Sequence, residues 1–155
     1  MHCIYDLIYF FSKIFYLGLL LGICPQVEKI KLKACGLRFP MNKDTFKAQQ
    51  NLVDLDISEN GINCIAGALD HLLPSDGGSP TLKTFNGDWN PFSGVCKVTG
   101  SRRKKALGSK WDFNLWLTFT KNRYGAAWAD DLKQCIDNEP GCTGVVDMYD
   151  PDMVY

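Results

Sequence analysis

The chain has 155 residues, of which 46% are hydrophobic, 12% aromatic and 22% charged, and its formal net charge is zero. That composition supplies apolar surface for one modest core and places the chain among single-domain globular proteins. A zero balance excludes recruitment of nucleic acid or membrane by net charge alone.

The N-terminus, MHCIYDLIYFFSKIFYLGLLLGICPQ, holds an apolar block from Ile14 to Ile23 that follows Lys13 and stops at Cys24-Pro25. This is the length of a signal-peptide h-region, and Ser12-Lys13 interrupts the longer run that a spanning helix needs. Residues 1–22 are therefore expected to act as a signal peptide and residues 23–155 as a single secreted α+β domain. Asp6 and the lack of a small-x-small cleavage site leave an uncleaved membrane anchor, or a wrongly assigned start codon, as the alternatives.

Downstream, Lys-x-Lys alternation around Ile30 to Lys33 predicts a short strand before Cys35-Gly36. Leu52, Leu55 and Ile57 lead into Ser58-Glu59-Asn60-Gly61, read as a turn or cap. The spacing of Ile62, Ile65, Ala66, Leu69, Leu72 and Leu73 predicts a helix with one apolar stripe, ended by Pro74. Thr81 to Phe85 and Gly94 to Val98 are short β-like runs flanking Asn86-Gly87-Asp88. Beyond the basic loop Ser101 to Lys105, Trp111 to Thr120 alternates as a strand. Ala126 to Ile136 predicts a second helix, with Trp128, Leu132, Cys135 and Ile136 buried, and Thr143 to Tyr149 a last strand. No internal repeat is expected. The expected fold is α+β: two helices packed on an antiparallel sheet of about four strands, stabilised by disulfides.

Cys24, Cys35, Cys64, Cys96, Cys135 and Cys142 remain after cleavage near Gly22. An even count in an exported chain predicts up to three disulfides, with 15 possible connectivities for six cysteines. Their spacing is too wide for a zinc site. No cofactor or metal is expected.

Charge is unevenly placed along the chain. Eight basic residues and one acid lie between Lys97 and Arg123, and seven acids against Lys133 follow Trp128. The run Arg102-Arg103-Lys104-Lys105 is a solvated loop, a processing site or an anion-binding patch. Trp116 falls on the polar side of its strand and Trp89 in a turn, so both are candidate binding residues together with Arg102, Arg103, Lys104 and Lys105.

Asn63-Cys64 opening the first helix, Gly94-Val95-Cys96 in a central strand, and Asp131-Leu132 with Cys135 in the second helix loosely resemble small secreted fungal effectors of the killer-toxin and necrosis-inducing-factor type. The resemblance covers Cys35 to Asp147, interrupted by the basic Ser101 to Lys105 insertion, and its cysteine spacings depart from that pattern. It implies a host-interacting or toxin-like protein and carries over no catalytic residue.

Enzyme signatures are thin. His71 is the sole histidine after the leader, and no nucleophile-elbow sequence accompanies a serine or cysteine. The carboxylates Asp54/Asp56, Asp130/Asp131 and Asp147/Asp150/Asp152 read as solvated acidic faces. The expectation is a secreted, monomeric, disulfide-rich effector or toxin-like protein that binds a host or competitor protein or glycan. It has no specific nucleic-acid partner and no stable membrane insertion after cleavage. The alternatives are a carbohydrate- or anion-binding module and a small hydrolase using paired carboxylates.

Overall fold

The computed structural model describes residues 22, 24–74, 78–92, 117–139 and 142. The expected leader, the Gly94 to Val98 run, most of the Trp111 to Thr120 strand, the last strand and Asp147/Asp150/Asp152 lie outside the described residues.

Strands β1 (Lys29–Lys31), β2 (Asp54–Asp56), β3 (Thr84–Asn86) and β4 (Thr118–Thr120) form one sheet in the order β1-β2-β3-β4. Helices α1 (Lys121–Tyr124) and α2 (Trp128–Asp137) follow. The α+β class holds, but the sheet is mixed where an antiparallel one is expected. β1 pairs with β2 and β2 with β3 in parallel, and only β3 and β4 run antiparallel.

The reason for the parallel pairing is an internal repeat, which corrects the expectation of none. Val27, Ile30, Leu32, Cys35 and Leu37 stand at the same spacing as Leu52, Leu55, Ile57, Asn60 and Ile62, and as Leu82, Phe85, Gly87, Asn90 and Phe92. The common pattern is apolar-x-x-apolar-x-apolar-x-x-Asn/Cys-x-apolar. Each copy provides one short strand, and the chain then travels back along the outside of the coil to begin the next. Parallel neighbours require such long crossovers, because a tight hairpin cannot return the chain to the same end of the sheet.

Backbone geometry repeats with the sequence. Leu32 N–H donates to Asp56 O and Ile57 N–H to Asn86 O; Ala34 N–H donates to Ser58 O and Glu59 N–H to Asp88 O. Ala34, Glu59 and Trp89, one position before the Asn/Cys site in each copy, all adopt left-handed backbone, with φ of 53°, 56° and 58°. Non-glycine residues enter that region at a cost of about 1 to 2 kcal/mol each. The conformation bends the chain out of the strand at the same point in every coil.

The buried asparagines stabilise this bend. Asn60 Nδ2 donates to Leu32 O at 2.8 Å, Ile57 O at 2.9 Å and Ser58 O at 3.0 Å. Its Oδ1 accepts from Cys35 N–H at 3.0 Å and Leu37 N–H at 3.1 Å. Asn90 repeats the arrangement one coil on, donating to Ile57 O at 2.8 Å and Gly87 O at 3.1 Å and accepting from Ile62 N–H at 3.0 Å. Backbone groups that leave the sheet ladder would otherwise be buried without partners, at roughly 1 to 3 kcal/mol each.

Between the coils the side chains stack in columns. Ile30, Leu55, Phe85 and Phe119 are in register and buried. Gly87 occupies the slot of Leu32 and Ile57 in the next column. A Cβ there would lie 2.9 Å from the Phe85 ring and 3.3 Å from Phe92, so the two rings fill the space that a third aliphatic side chain would take.

Residues 62–73 do not form the expected helix. Gly67 has φ of 79° and interrupts any helical hydrogen-bond ladder, and the segment runs as turns along the outer side of the coil. Of the stripe, Ile62, Ile65, Leu69, Leu72 and Leu73 are nonetheless buried, as their spacing demanded, and Ala66 is half-buried.

Helix α2 forms where expected, burying Trp128, Leu132, Cys135 and Ile136 on one face. Asp130 and Asp131 lie in its first turn, where carboxylates favour the helix dipole. Lys133 Nζ reaches Asp70 Oδ1 at 2.6 Å and Asp137 Oδ2 at 3.1 Å, and both carboxylates hold the ammonium above its ordinary pKa. The Cys64–Cys142 disulfide adds a second tie between the C-terminal segment and the middle coil.

Candidate strand-face recognition surface

In each strand the central residue is buried and its two neighbours face the other way. Stacking the strands therefore places two rows of polar side chains on one open face. The first row is Lys29, Asp54, Thr84 and Thr120, and the second is Lys31, Asp56, Asn86 and Thr118. Lysines mark β1, carboxylates β2, and uncharged hydroxyl and amide groups β3 and β4. Lys29 Nζ stands 3.5 Å from Asp54 Oδ2.

A third row continues where the strands end: Lys33, Ser58 and Asp88, followed by Ala34, Glu59 and Trp89 at the bend. Asp56 Oδ1 accepts from Ser58 N–H at 2.9 Å and Ser58 Oγ–H at 2.6 Å. Thr118 Oγ–H donates to Asn86 Oδ1 at 3.2 Å, and the same Oδ1 accepts from Asp88 N–H at 3.1 Å. These contacts give the face a fixed shape. Burial pushes the Asp88 carboxyl up to about 6, and Asp56 adds to the rise, against hydrogen bonds with Thr118 and the Leu117 backbone.

Trp89 is 48% exposed at the rim of this face, although tryptophan is a residue that folding normally hides. It is the sequence-nominated binding residue that the structure describes. Trp116, Arg102, Arg103, Lys104 and Lys105 lie outside the described residues. Lys31, Asp54, Asp56, Thr84, Asn86 and Thr118 carry no individual sequence signal of a surface. Their signal was the repeat, in which polar residues flank each buried strand residue.

The cysteines divide. Cys64 pairs with Cys142, and Cys24 and Cys135 are disulfide-bonded as well. Cys35 departs from the expectation of a disulfide and is a free thiol. It occupies the Asn60/Asn90 position of the first coil, half-buried with Sγ 3.5 Å from Lys33 O, and burial raises its pKa. Cys96 lies outside the described residues.

His71 Nε2 sits 3.2 Å from Gln49 O, a link between two outer turns. Among the described residues, no group of three or more His, Cys, Asp or Glu side chains is placed to hold a metal, and no helix is long and apolar enough to cross a membrane.

Comparison of the chain with protein families, with curated proteins and with solved structures yields no match in any of the three.

Proposed function

We propose that this protein is a recognition module of leucine-rich-repeat type that binds a polypeptide across the open face of β1 to β4. The observation that carries the reading is the pair of polar rows in register across four strands, presented on a frame locked from behind by Asn60 and Asn90. Stacked repeats of this pattern generate extended binding surfaces, and a preformed surface loses little entropy on binding. Bonded Cys24, Cys64, Cys135 and Cys142 support an oxidising compartment, which suits the export expected from the sequence.

The test is selection of a displayed random peptide library on the oxidised full chain. Bound clones are then measured against the face variant Asp54→Lys/Thr84→Arg and against an outer-surface control, Lys47→Glu/Gln50→Arg. The expected result is at least tenfold weaker binding to the face variant alone. Clones sensitive only to the outer-surface control would overturn the reading.

A further inference from the structure

We infer that the Trp89 end of the strand face is a seat for an arginine side chain of the bound polypeptide. This rests on the strand-face reading and names the chemistry of its partner. Glu59 and Trp89 occupy the same position in successive coils, and Glu59 N–H donates to Asp88 O at 2.9 Å. Their Cα atoms are therefore about one strand spacing apart, about 4.8 Å, and the two side chains leave the bend side by side.

One wall of the seat is the exposed indole, the other a carboxylate whose side chain is 43% exposed. A planar guanidinium stacks on an aromatic face while pairing with a neighbouring carboxylate, a combination that ammonium groups match less well. Charge complementarity points the same way. Asp56 and Asp88 lie behind the rim and repel one another, and the Lys33 ammonium bonded to Glu59 is a cation that also acts on Asp56.

Glu59 does hold Lys33 Nζ at 3.0 Å, but both side chains are widely exposed and such a bridge contributes little. An incoming arginine displaces it readily. Because the whole chain has no net charge, general attraction for a polycation does not account for such binding.

The experiment uses the oxidised full chain and a probe, N-acetyl-Gly-Arg-Gly-Arg-Gly-amide, against its citrulline counterpart, which keeps the shape and loses the charge. Binding is measured by calorimetry at low and moderate salt. The citrulline probe should bind at least tenfold more weakly, and Trp89→Asn and Glu59→Asn should each weaken the arginine probe at least threefold. Asparagine tolerates the left-handed backbone at both positions, so neither variant disturbs the bend.

Equal binding of the two probes, or arginine binding indifferent to both variants, would overturn the seat. The two readings fail separately. Peptides selected on the strand face that contain no arginine, and bind unchanged to Trp89→Asn, would sink the seat and leave the face standing. Arginine binding that requires Trp89, without any clone sensitive to Asp54→Lys/Thr84→Arg, would support the seat and sink the broader face.

Discussion

Asn60 and Asn90 share an acceptor. The carbonyl oxygen of Ile57 receives Nδ2–H of Asn60 at 2.9 Å and Nδ2–H of Asn90 at 2.8 Å, so one backbone group joins the bends of two successive coils. Each asparagine also closes its own bend, which couples the coils into one cooperative stack.

Removal of either amide should therefore destabilise the whole chain. Asn60→Ala is expected to cost about 3 to 5 kcal/mol and Asn90→Ala about 2 to 4 kcal/mol, from the buried backbone groups left without partners. Asn60→Asp should be no better at neutral pH, because a carboxylate cannot donate to the carbonyls of Leu32, Ile57 and Ser58. Urea unfolding of the three variants checks the order. A loss below 1 kcal/mol for Asn60→Ala would show that the bends do not depend on it.

Gly87 should resist even a methyl group. The Phe85 and Phe92 rings stand where its Cβ would go, so Gly87→Ala is expected to cost about 1 to 3 kcal/mol by overpacking. Phe85→Leu removes the obstructing ring and recreates the aliphatic pairing of Leu55 with Ile57. The double variant should be more stable than the sum of the two single losses, as a double-mutant cycle in thermal or urea unfolding will read.

Asp88 makes stability depend on pH in a definite direction. Its folded pKa of about 6 lies above that of an unfolded aspartate, so folding favours the protonated form. The stabilisation is complete below about pH 4 and is lost as pH rises through 6. With allowance for solvent screening of a partly exposed group, the loss by pH 7 is about 1 to 2 kcal/mol. Asn at this position keeps an acceptor for the Leu117 backbone, so Asp88→Asn should gain that amount at pH 7 and nothing at pH 4. A parallel pH profile for wild type and variant would refute this assignment.

Loss of the Cys64–Cys142 bridge, made as Cys64→Ser/Cys142→Ser, frees two points 78 residues apart. The chain-entropy cost of a loop that long is about 4.5 kcal/mol. The Lys133–Asp70 ion pair and the disulfide of Cys135 would remain on α2, and neither restores the lost link from Cys142 to the middle coil. Denaturant unfolding should show the drop, and hydrogen exchange should place the largest loss of protection in α2.

The features legible from side-chain order alone are mostly local and periodic. The short strand at Ile30, the α2 stripe of Trp128, Leu132, Cys135 and Ile136, the burial of Ile62 to Leu73, and the exposure of Trp89 all follow from side-chain spacing and composition. The tertiary structure decided what spacing alone leaves open. Apolar residues at helical intervals from Ile62 were also compatible with an outer turn, and Gly67 together with the need to return to the next strand chose the turn. Leu52, Leu55 and Ile57 read as the approach to a cap until pairing with Ile30 and Phe85 made them a strand. The repeat was concealed because its copies start at residues 27, 52 and 82, at unequal spacing, with Cys35 where the others have asparagine and Gly87 where they have an aliphatic residue. Parallel register is a relation between distant segments, set by which backbone groups find partners when the coils stack. Only that register brings the lysines of β1, the aspartates of β2 and Trp89 onto one side of the molecule.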